Sequence, residues 1–223
     1  MKPQTEFWRK FALMVGLWGI WWWTMDAKMS SAVNMGIIMG GPLLTFPFIW
    51  LARRMLDKDP TAPRAVRMTT LVHYSLGILF GMPIIRALVT HAEWAGWTIP
   101  VPYEVGLMMV VFSGAATLLT VLNLALKGLG APFAIALSQQ LAMDWFYAWT
   151  RNPMVLAVLA LLVSLGLWYR SGLFVLWTLV VYAPALLFFV KVFEERELEL
   201  RFGDSYRAYR AGTPMLLPRP PKG

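Results

Sequence analysis

The sequence contains no cysteine and only two histidines among its 223 residues. The absence of cysteine excludes disulfide bonds, thiolate-ligated metals and a cysteine nucleophile. Charged residues are also scarce, at 14%, whereas soluble domains contain about a quarter. Because hydrophobic residues make up 58% of the chain, water is not its main solvent, and we expect one membrane domain.

Histidine is too rare and too widely spaced to suggest a haem or metal site. His73 and His91 would lie about 27 Å apart on one continuous helix, since the rise is about 1.5 Å per residue. Two histidines at that separation cannot ligate the same haem. We therefore expect no metal site, and we expect His73 to be a packed residue within the helix bundle.

The basic residues, which give a formal net charge of +8, lie between apolar runs. They form no continuous stripe with stacking aromatic residues, which is the pattern typical of a nucleic-acid interface. Membrane lipid with an anionic headgroup is therefore the expected partner, and nucleic acid is not expected.

Six apolar segments are long enough to cross a bilayer as helices, since about 20 residues span its hydrocarbon core. Their approximate bounds are 7–25, 32–51, 68–90, 102–126, 153–169 and 173–190. None alternates with the period of two that a barrel strand requires. The sequence therefore predicts an all-α fold, a polytopic transmembrane helical bundle of about six spans. Two small-residue pairs, Gly36 with Gly40 and Gly77 with Gly81, predict close approach of helices.

The charges of the loops test this topology independently. If the N-terminus is cytoplasmic, 17 of the 20 basic residues fall on the cytoplasmic side, as the positive-inside rule predicts. Only Lys28 and Arg170 fall on the other side. Arg86 lies near the end of the third segment and is expected to extend to the outer interface. The pattern predicts an even number of spans with both termini in the cytoplasm.

After the sixth span, the sequence changes at Lys191 to a charged segment that cannot cross lipid. Glu197 and Arg201 stand at i,i+4 spacing, which favours a helix. The apolar residues of this segment also have helical spacing, so we expect a C-terminal amphipathic helix along the cytoplasmic surface. Gly203 is expected to bend or cap it.

Two motifs flank the last two spans. They are Arg-Asn-Pro-Met at 151–154 and a tail motif with Glu-Glu at 194–195, Phe-Gly at 202–203, Tyr206 and Tyr209. Together they resemble the membrane methyltransferase family that includes isoprenylcysteine carboxyl methyltransferase and phosphatidylethanolamine N-methyltransferase. The resemblance covers roughly residues 127–218. It implies S-adenosylmethionine as the cofactor, enclosed by a helical hairpin and the tail, and a lipophilic or lipidated substrate.

The resemblance also implies roles for individual residues. Those implied to be catalytic are Arg151, Asn152 and Glu195. Those implied to bind the cofactor are Gly128, Gly130, Asn152, Pro153, Glu194, Glu195, Tyr206 and Tyr209. The stretch Gly-x-Gly-Ala-Pro at 128–132 is similar to Gly-x-Gly-Thr-Pro of bacterial members, and we expect a multi-pass protein of a bacterial inner membrane.

Helix physics supports the first motif independently. Asn152 is a favourable N-cap and Pro153 suits the first helical position, so the free N–H groups of this helix start would bind an anion. Arg151 adds a fork-shaped positive charge. The anion would be the carboxylate of the cofactor or of the substrate. Each motif alone is typical of an ordinary helix, and it is their combination that indicates a site.

The sequence departs from the family pattern at three places. Asn152 stands where histidine is frequent, Val155 replaces a usual tyrosine, and Trp-Phe-Tyr at 145–147 replaces Gly-Pro-Tyr. An alternative is therefore a non-catalytic integral membrane subunit or scaffold that keeps the fold. We divide the chain into N-terminal helices, 1–126, and a methyltransferase-like core, 127–223.

The sequence leaves two classes of methyl acceptor. A carboxylate or thiol of a prenylcysteine-like or small hydrophobic substrate needs no catalytic base, because methyl transfer from a sulfonium depends on alignment and exclusion of water. A phospholipid headgroup with an ammonium group would first have to lose a proton. No histidine lies near the motifs to accept it, which favours the acid or thiol slightly.

Overall fold

The computed structural model describes residues 3–91, 97–128 and 140–221, without the side chains of 3–7 and 128. These ranges are helical, as predicted, and contain no strand beyond one isolated bridge between Thr98 and Ser171. The helices are α1 (Pro3–Asp26), α2 (Ser31–Asp57), α3 (Ala62–Val89), α4 (Tyr103–Gly128), α5 (Phe146–Trp149), α6 (Pro153–Trp168), α7 (Gly172–Phe202) and α8 (Asp204–Gly212).

Four helices, α2, α3, α4 and α7, are long and apolar enough to cross a membrane. Helix α6 is apolar but has only 16 residues, or about 24 Å, which is less than the hydrocarbon core of about 30 Å. Helix α1 has 24 residues, but its tryptophans and the charged residues in its first half lower its mean hydropathy. Four of the six predicted spans are thus supported, while α1 and α6 as spans stay predictions.

Successive long helices run in opposite directions, so their ends collect at two ends of the bundle. Arg196 of α7 pairs with Asp57 at the end of α2, with 3.2 Å between Nε and Oδ1. We call this the tail end, because α8 follows it. Asn34 near the start of α2 contacts Arg86 near the end of α3 at the opposite, distal end.

Helix α7 lies at the centre of the bundle. It packs against α2 and α3 on one side and against α6 on the other, and α6 in turn carries α4. Phe174, Trp177, Phe189 and Phe193 of α7 are buried in the main apolar core. Glu194 and Glu195 of the tail motif lie on α7. Because α7 is central, the N-terminal helices support these two residues.

Gly77 and Gly81 of α3 allow α1 to approach closely, as their spacing predicts. A methyl group on Gly77 would lie 2.8 Å from Leu17, and one on Gly81 would collide with the indole of Trp21. The prediction was wrong for the glycines at positions 36 and 40, which have open space around them. Their face of α2 meets no neighbouring helix in the described part of the chain.

Helix α7 contains two π-helical segments, Thr178–Tyr182 and Val190–Glu194. Pro184 follows the first segment and has no N–H to donate, which favours a local widening of the helix. The second segment ends directly before Glu195, so it sets the direction in which the two glutamates face.

The charged segment after Lys191 continues α7 as far as Phe202. Gly203, at a φ of 56°, ends this helix, as predicted, and α8 begins after it. Glu195 and Glu197 are buried in the part of the helix that packs against α3, a contact that sequence periodicity does not reveal. That the C-terminal helix is amphipathic and lies along the cytoplasmic surface stays a prediction.

Candidate active site

The two motifs meet at the tail end of the bundle. Arg151, just before α6, and Glu195 of α7 form an ion pair with 2.7 Å between Nη2 and Oε1. Their side chains are 8% and 6% exposed, so the pair is buried. A short turn joins the antiparallel helices α6 and α7, so the start of one lies beside the end of the other. The structure thus brings together two of the predicted site residues, whose roles stay predictions.

Arg151 is held by the tail as well as by Glu195. Its Nη1 donates to the carbonyl oxygen of Arg210 at 2.8 Å, and its backbone N–H donates to the carbonyl oxygen of Pro214 at 2.9 Å. Its Nε is buried and has no partner in the described part of the chain. The guanidinium is therefore fixed in place, and its buried Nε–H is left for a ligand.

Glu194 and Glu195 have different surroundings. The second carboxylate oxygen of Glu195 accepts a hydrogen bond from Lys191 Nζ at 3.1 Å, so two cations neutralise this residue. Glu194 is half-buried and makes no ion pair with any described residue. Glu194 is therefore the carboxylate available to a ligand.

The tyrosines of the tail lie against the same site. Tyr206 is 2% exposed, and the Tyr209 hydroxyl donates to the carbonyl oxygen of Tyr147 at 2.6 Å. Burial raises the pKa of Tyr147 and Tyr206 above the usual range. The charge of Glu194 adds to this increase at Tyr147, and the charge of Glu195 adds to it at Tyr206. Burial likewise raises the pKa of Tyr209, so all three phenols stay neutral.

Helix α6 begins where it was predicted to begin, but the predicted N-cap hydrogen bond is not formed. Pro153 is the first helical residue and Asn152 is the N-cap, yet the Asn152 side chain makes no capping hydrogen bond. Its Nδ2 donates instead to the carbonyl oxygen of Met215 at 2.9 Å, which also accepts from the Thr150 hydroxyl at 3.1 Å. The side chain thus ties down the tail, and the first-turn N–H groups keep no side-chain cap.

The predicted glycine motif is only partly described. Gly128 is the last residue of α4, and Gly130 lies outside the described residues. Their predicted part in cofactor binding stays a prediction.

Asn123 of α4 is a polar residue that sequence reasoning missed. The hydroxyls of Ser113 and Ser164 meet at 3.2 Å where α4 packs against α6. The two helices are antiparallel, and Ser113 lies opposite Ser164. Asn123 comes ten residues after Ser113 and Met154 ten residues before Ser164, so Asn123 lies level with Met154. Asn123 is fully buried, and neither its Oδ1 nor its Nδ2 has a hydrogen-bond partner among the described residues. Because buried polar groups are nearly always hydrogen-bonded, this amide is a candidate contact for a ligand.

Residues 101–205, from the start of α4 into α8, match the family model described as phospholipid methyltransferase. Over this segment the chain is similar to the phospholipid methyltransferase family. The match confirms the resemblance on which the site was predicted, and together with four helices of spanning length it identifies an integral membrane protein. Neither the curated proteins nor the solved structures give a significant match to the chain.

The family match includes most of the site. It contains Asn123, Arg151 and the glutamates at 194 and 195, and it ends one residue before Tyr206. It starts within the predicted N-terminal region, 1–126, because it takes in all of α4.

Proposed function

We propose that this protein transfers a methyl group from S-adenosylmethionine to a lipophilic acceptor at the tail end of the bundle. The observation that carries the proposal is the buried pair of Arg151 and Glu195. It lies inside the segment that matches a methyltransferase family, and it holds a guanidinium beside the start of α6.

The residues present fit the amino-acid part of this cofactor. The unpartnered Nε of Arg151 and the first-turn N–H groups of α6 are donors for its carboxylate. Glu194 is a suitable acceptor for its ammonium group or for ribose hydroxyls. Glu195 is already neutralised by two cations, so we assign it to positioning Arg151. The amide of Asn123 offers two N–H donors and one acceptor oxygen at the level of the first turn of α6.

When bound, S-adenosylmethionine supplies an electrophilic methyl group on a sulfonium. The protein would align the acceptor with this group and exclude water, which together lower the barrier for an in-line displacement. The tail contributes to both, since its bonds to residues 147–152 cover the start of α6. A carboxylate or thiol acceptor needs no base from the protein, and a phospholipid headgroup amine is the other acceptor class.

We place the tail end on the cytoplasmic side of a bacterial inner membrane, with both termini cytoplasmic. The asymmetry of the basic loops supports this orientation. The acceptor would enter between helices from the lipid, and the N-terminal helices 1–126 would shape its path beside the core, 127–223.

Membranes that contain the protein, incubated with S-adenosylmethionine carrying a radiolabelled methyl group, test the proposed activity. We expect label in the lipid-soluble fraction, and its loss in Arg151→Met. The control is Arg219→Met, in which an exposed arginine of the same tail is changed. If no fraction gains label over vector membranes although the protein is folded, the non-catalytic scaffold is the better interpretation.

A further inference from the structure

Arg86 forms a buried cationic network at the distal end of the bundle. It is 3% exposed, so the guanidinium that was predicted to extend to the outer interface is covered by protein groups at this end. Its Nε and Nη2 donate to Asn34 Oδ1 at 2.9 and 2.6 Å, and its Nη1 donates to the carbonyl oxygens of Thr24 and Ala27 at 2.7 and 3.0 Å. The cause is that α1 and the residues after it cover the end of α3.

The network contains no counter-ion. All three acceptor atoms of Arg86 are neutral, and no carboxylate among residues 3–91, 97–128 and 140–221 pairs with it. A buried charge without a partner of opposite sign is costly, especially within a membrane. This end of the bundle therefore favours an anion nearby.

A cavity of about 480 Å³ lies beside the network, between the first turns of α2 and the first half of α7. This volume is in the range of about 300–1,000 Å³ that is usual for ligand pockets. Its walls are mostly apolar and include Met35, Met39, Leu176 and Val180. Leu176 and Val180 are 46% and 61% exposed, so the cavity opens sideways from two spanning helices, towards lipid.

The polar end of the cavity is connected to Arg86. Asn34 lines the cavity and accepts two N–H groups of Arg86. Thr90 also lines it and donates from its hydroxyl to the carbonyl oxygen of Arg86 at 2.7 Å. Ser31 lines it at the start of α2, where free N–H groups carry partial positive charge. The cavity thus has an apolar body and a positive end.

We propose that this cavity binds one acyl chain of an anionic phospholipid, with the phosphate beside Asn34 and the start of α2. A neutral lipid would fill the apolar body equally well, but it would leave the charge of Arg86 without compensation. This lipid site is separate from the site of methyl transfer, since α2 has 27 residues and spans about 40 Å between the two ends.

Photolabelling tests this site in bilayers of phosphatidylcholine that contain a phosphatidylglycerol with a diazirine at the end of one acyl chain. We expect adducts on peptides that contain Met35, Met39 or Val180. Unlabelled phosphatidylglycerol should compete about fivefold better than added short-chain phosphatidylcholine, because one basic residue favours an anionic lipid by roughly that factor. Equal competition, or adducts only on the outer face of α4, overturns the proposal.

Three variants test which residues produce the preference for phosphatidylglycerol. Arg86→Gln should keep the adducts but lose the preference for phosphatidylglycerol. Arg67→Gln removes an exposed charge at the tail end and should keep the preference. Leu176→Trp narrows the mouth without touching Arg86 and should abolish the adducts at Met35, which keeps the proposal testable if Arg86→Gln does not fold. Unchanged adducts in Leu176→Trp contradict it.

Discussion

Arg53 of α2 donates a hydrogen bond from Nη1 to the carbonyl oxygen of Val192, 2.8 Å away. Val192 lies in the π-helical segment Val190–Glu194, where the regular helical bonding pattern is altered. The contact therefore holds α7 in its non-standard path immediately before Glu194 and Glu195. An N-terminal helix that is outside the family match thus supports the candidate site.

We expect Arg53→Met to weaken binding of S-adenosylhomocysteine about fivefold. The reason is that loss of the bond to Val192 costs about 1 kcal/mol and lets the glutamates shift. The matched control is Arg54→Met, since the guanidinium of Arg54 stacks on Trp50 at 3.8 Å. Calorimetry on both purified variants measures the difference, and equal losses in the two would contradict the supporting role of Arg53.

Glu195→Gln should lower stability by about 3 kcal/mol, because it leaves the guanidinium of Arg151 buried without its counter-ion. The double variant Arg151→Met with Glu195→Leu should recover most of that loss, since an apolar pair of similar volume packs well. It should nevertheless fail to bind S-adenosylhomocysteine. Thermal unfolding in detergent, followed by calorimetry, measures both properties.

The control for the buried ion pair of Arg151 and Glu195 is Arg207→Gln, which removes an exposed partner of Asp204. It should leave the unfolding temperature unchanged, as is usual for surface ion pairs. If Glu195→Gln also leaves it unchanged, the pair of Arg151 and Glu195 does not stabilise the fold.

Tyr209→Phe should loosen the tail while the helices stay intact. It removes the hydroxyl that donates to the carbonyl oxygen of Tyr147 at 2.6 Å, a bond that contributes about 1 kcal/mol. Hydrogen exchange in residues 206–215 should therefore become about fivefold faster. Tyr103→Phe, at an exposed residue of the distal end, is the control. Identical exchange in the two variants would show that this bond does not hold the tail.

Gly77→Ala should weaken the packing of α1 on α3. The added methyl group would lie 2.8 Å from Leu17, and such overpacking costs about 1–3 kcal/mol. Gly36→Ala adds the same group where nothing lies within 4 Å and should have little effect. Limited proteolysis of the α1–α2 connection should become faster in Gly77→Ala only, and faster cleavage in both variants would argue against a specific contact.

The sequence predicts the helices from local patterns, since long apolar runs in lipid require helices. That Arg151 and Glu195 share one site was implied by the resemblance of their two motifs to the methyltransferase family, and the short turn between α6 and α7 agrees with it. The distribution of basic residues then predicts which helix ends lie together. These features need no knowledge of side-chain packing.

The features that the sequence does not predict arise from tertiary contacts. Nothing in the residues around Val192 indicates a π-helical segment, and its contact with Arg53 of α2 joins residues that are far apart in the chain. The Asn152 side chain bonds to Met215 and not to its own helix, since the tail returns to it. Arg86 is buried because α1 covers it, and that contact joins residues 59 and 62 positions apart in the chain.

The central claim is that the site at the tail end binds the cofactor with Glu194 as one of its contacts. Calorimetric titration of S-adenosylhomocysteine tests it most directly, with three purified proteins: the native protein, Glu194→Gln and Glu104→Gln. Glu104 is an exposed acid at the distal start of α4 and controls for the loss of one negative charge. We predict binding by the native protein and by Glu104→Gln, and at least roughly tenfold weaker binding by Glu194→Gln, since a charge-assisted bond is lost. No heat of binding to the folded native protein, or equal Kd values for the native protein and Glu194→Gln, would contradict the account.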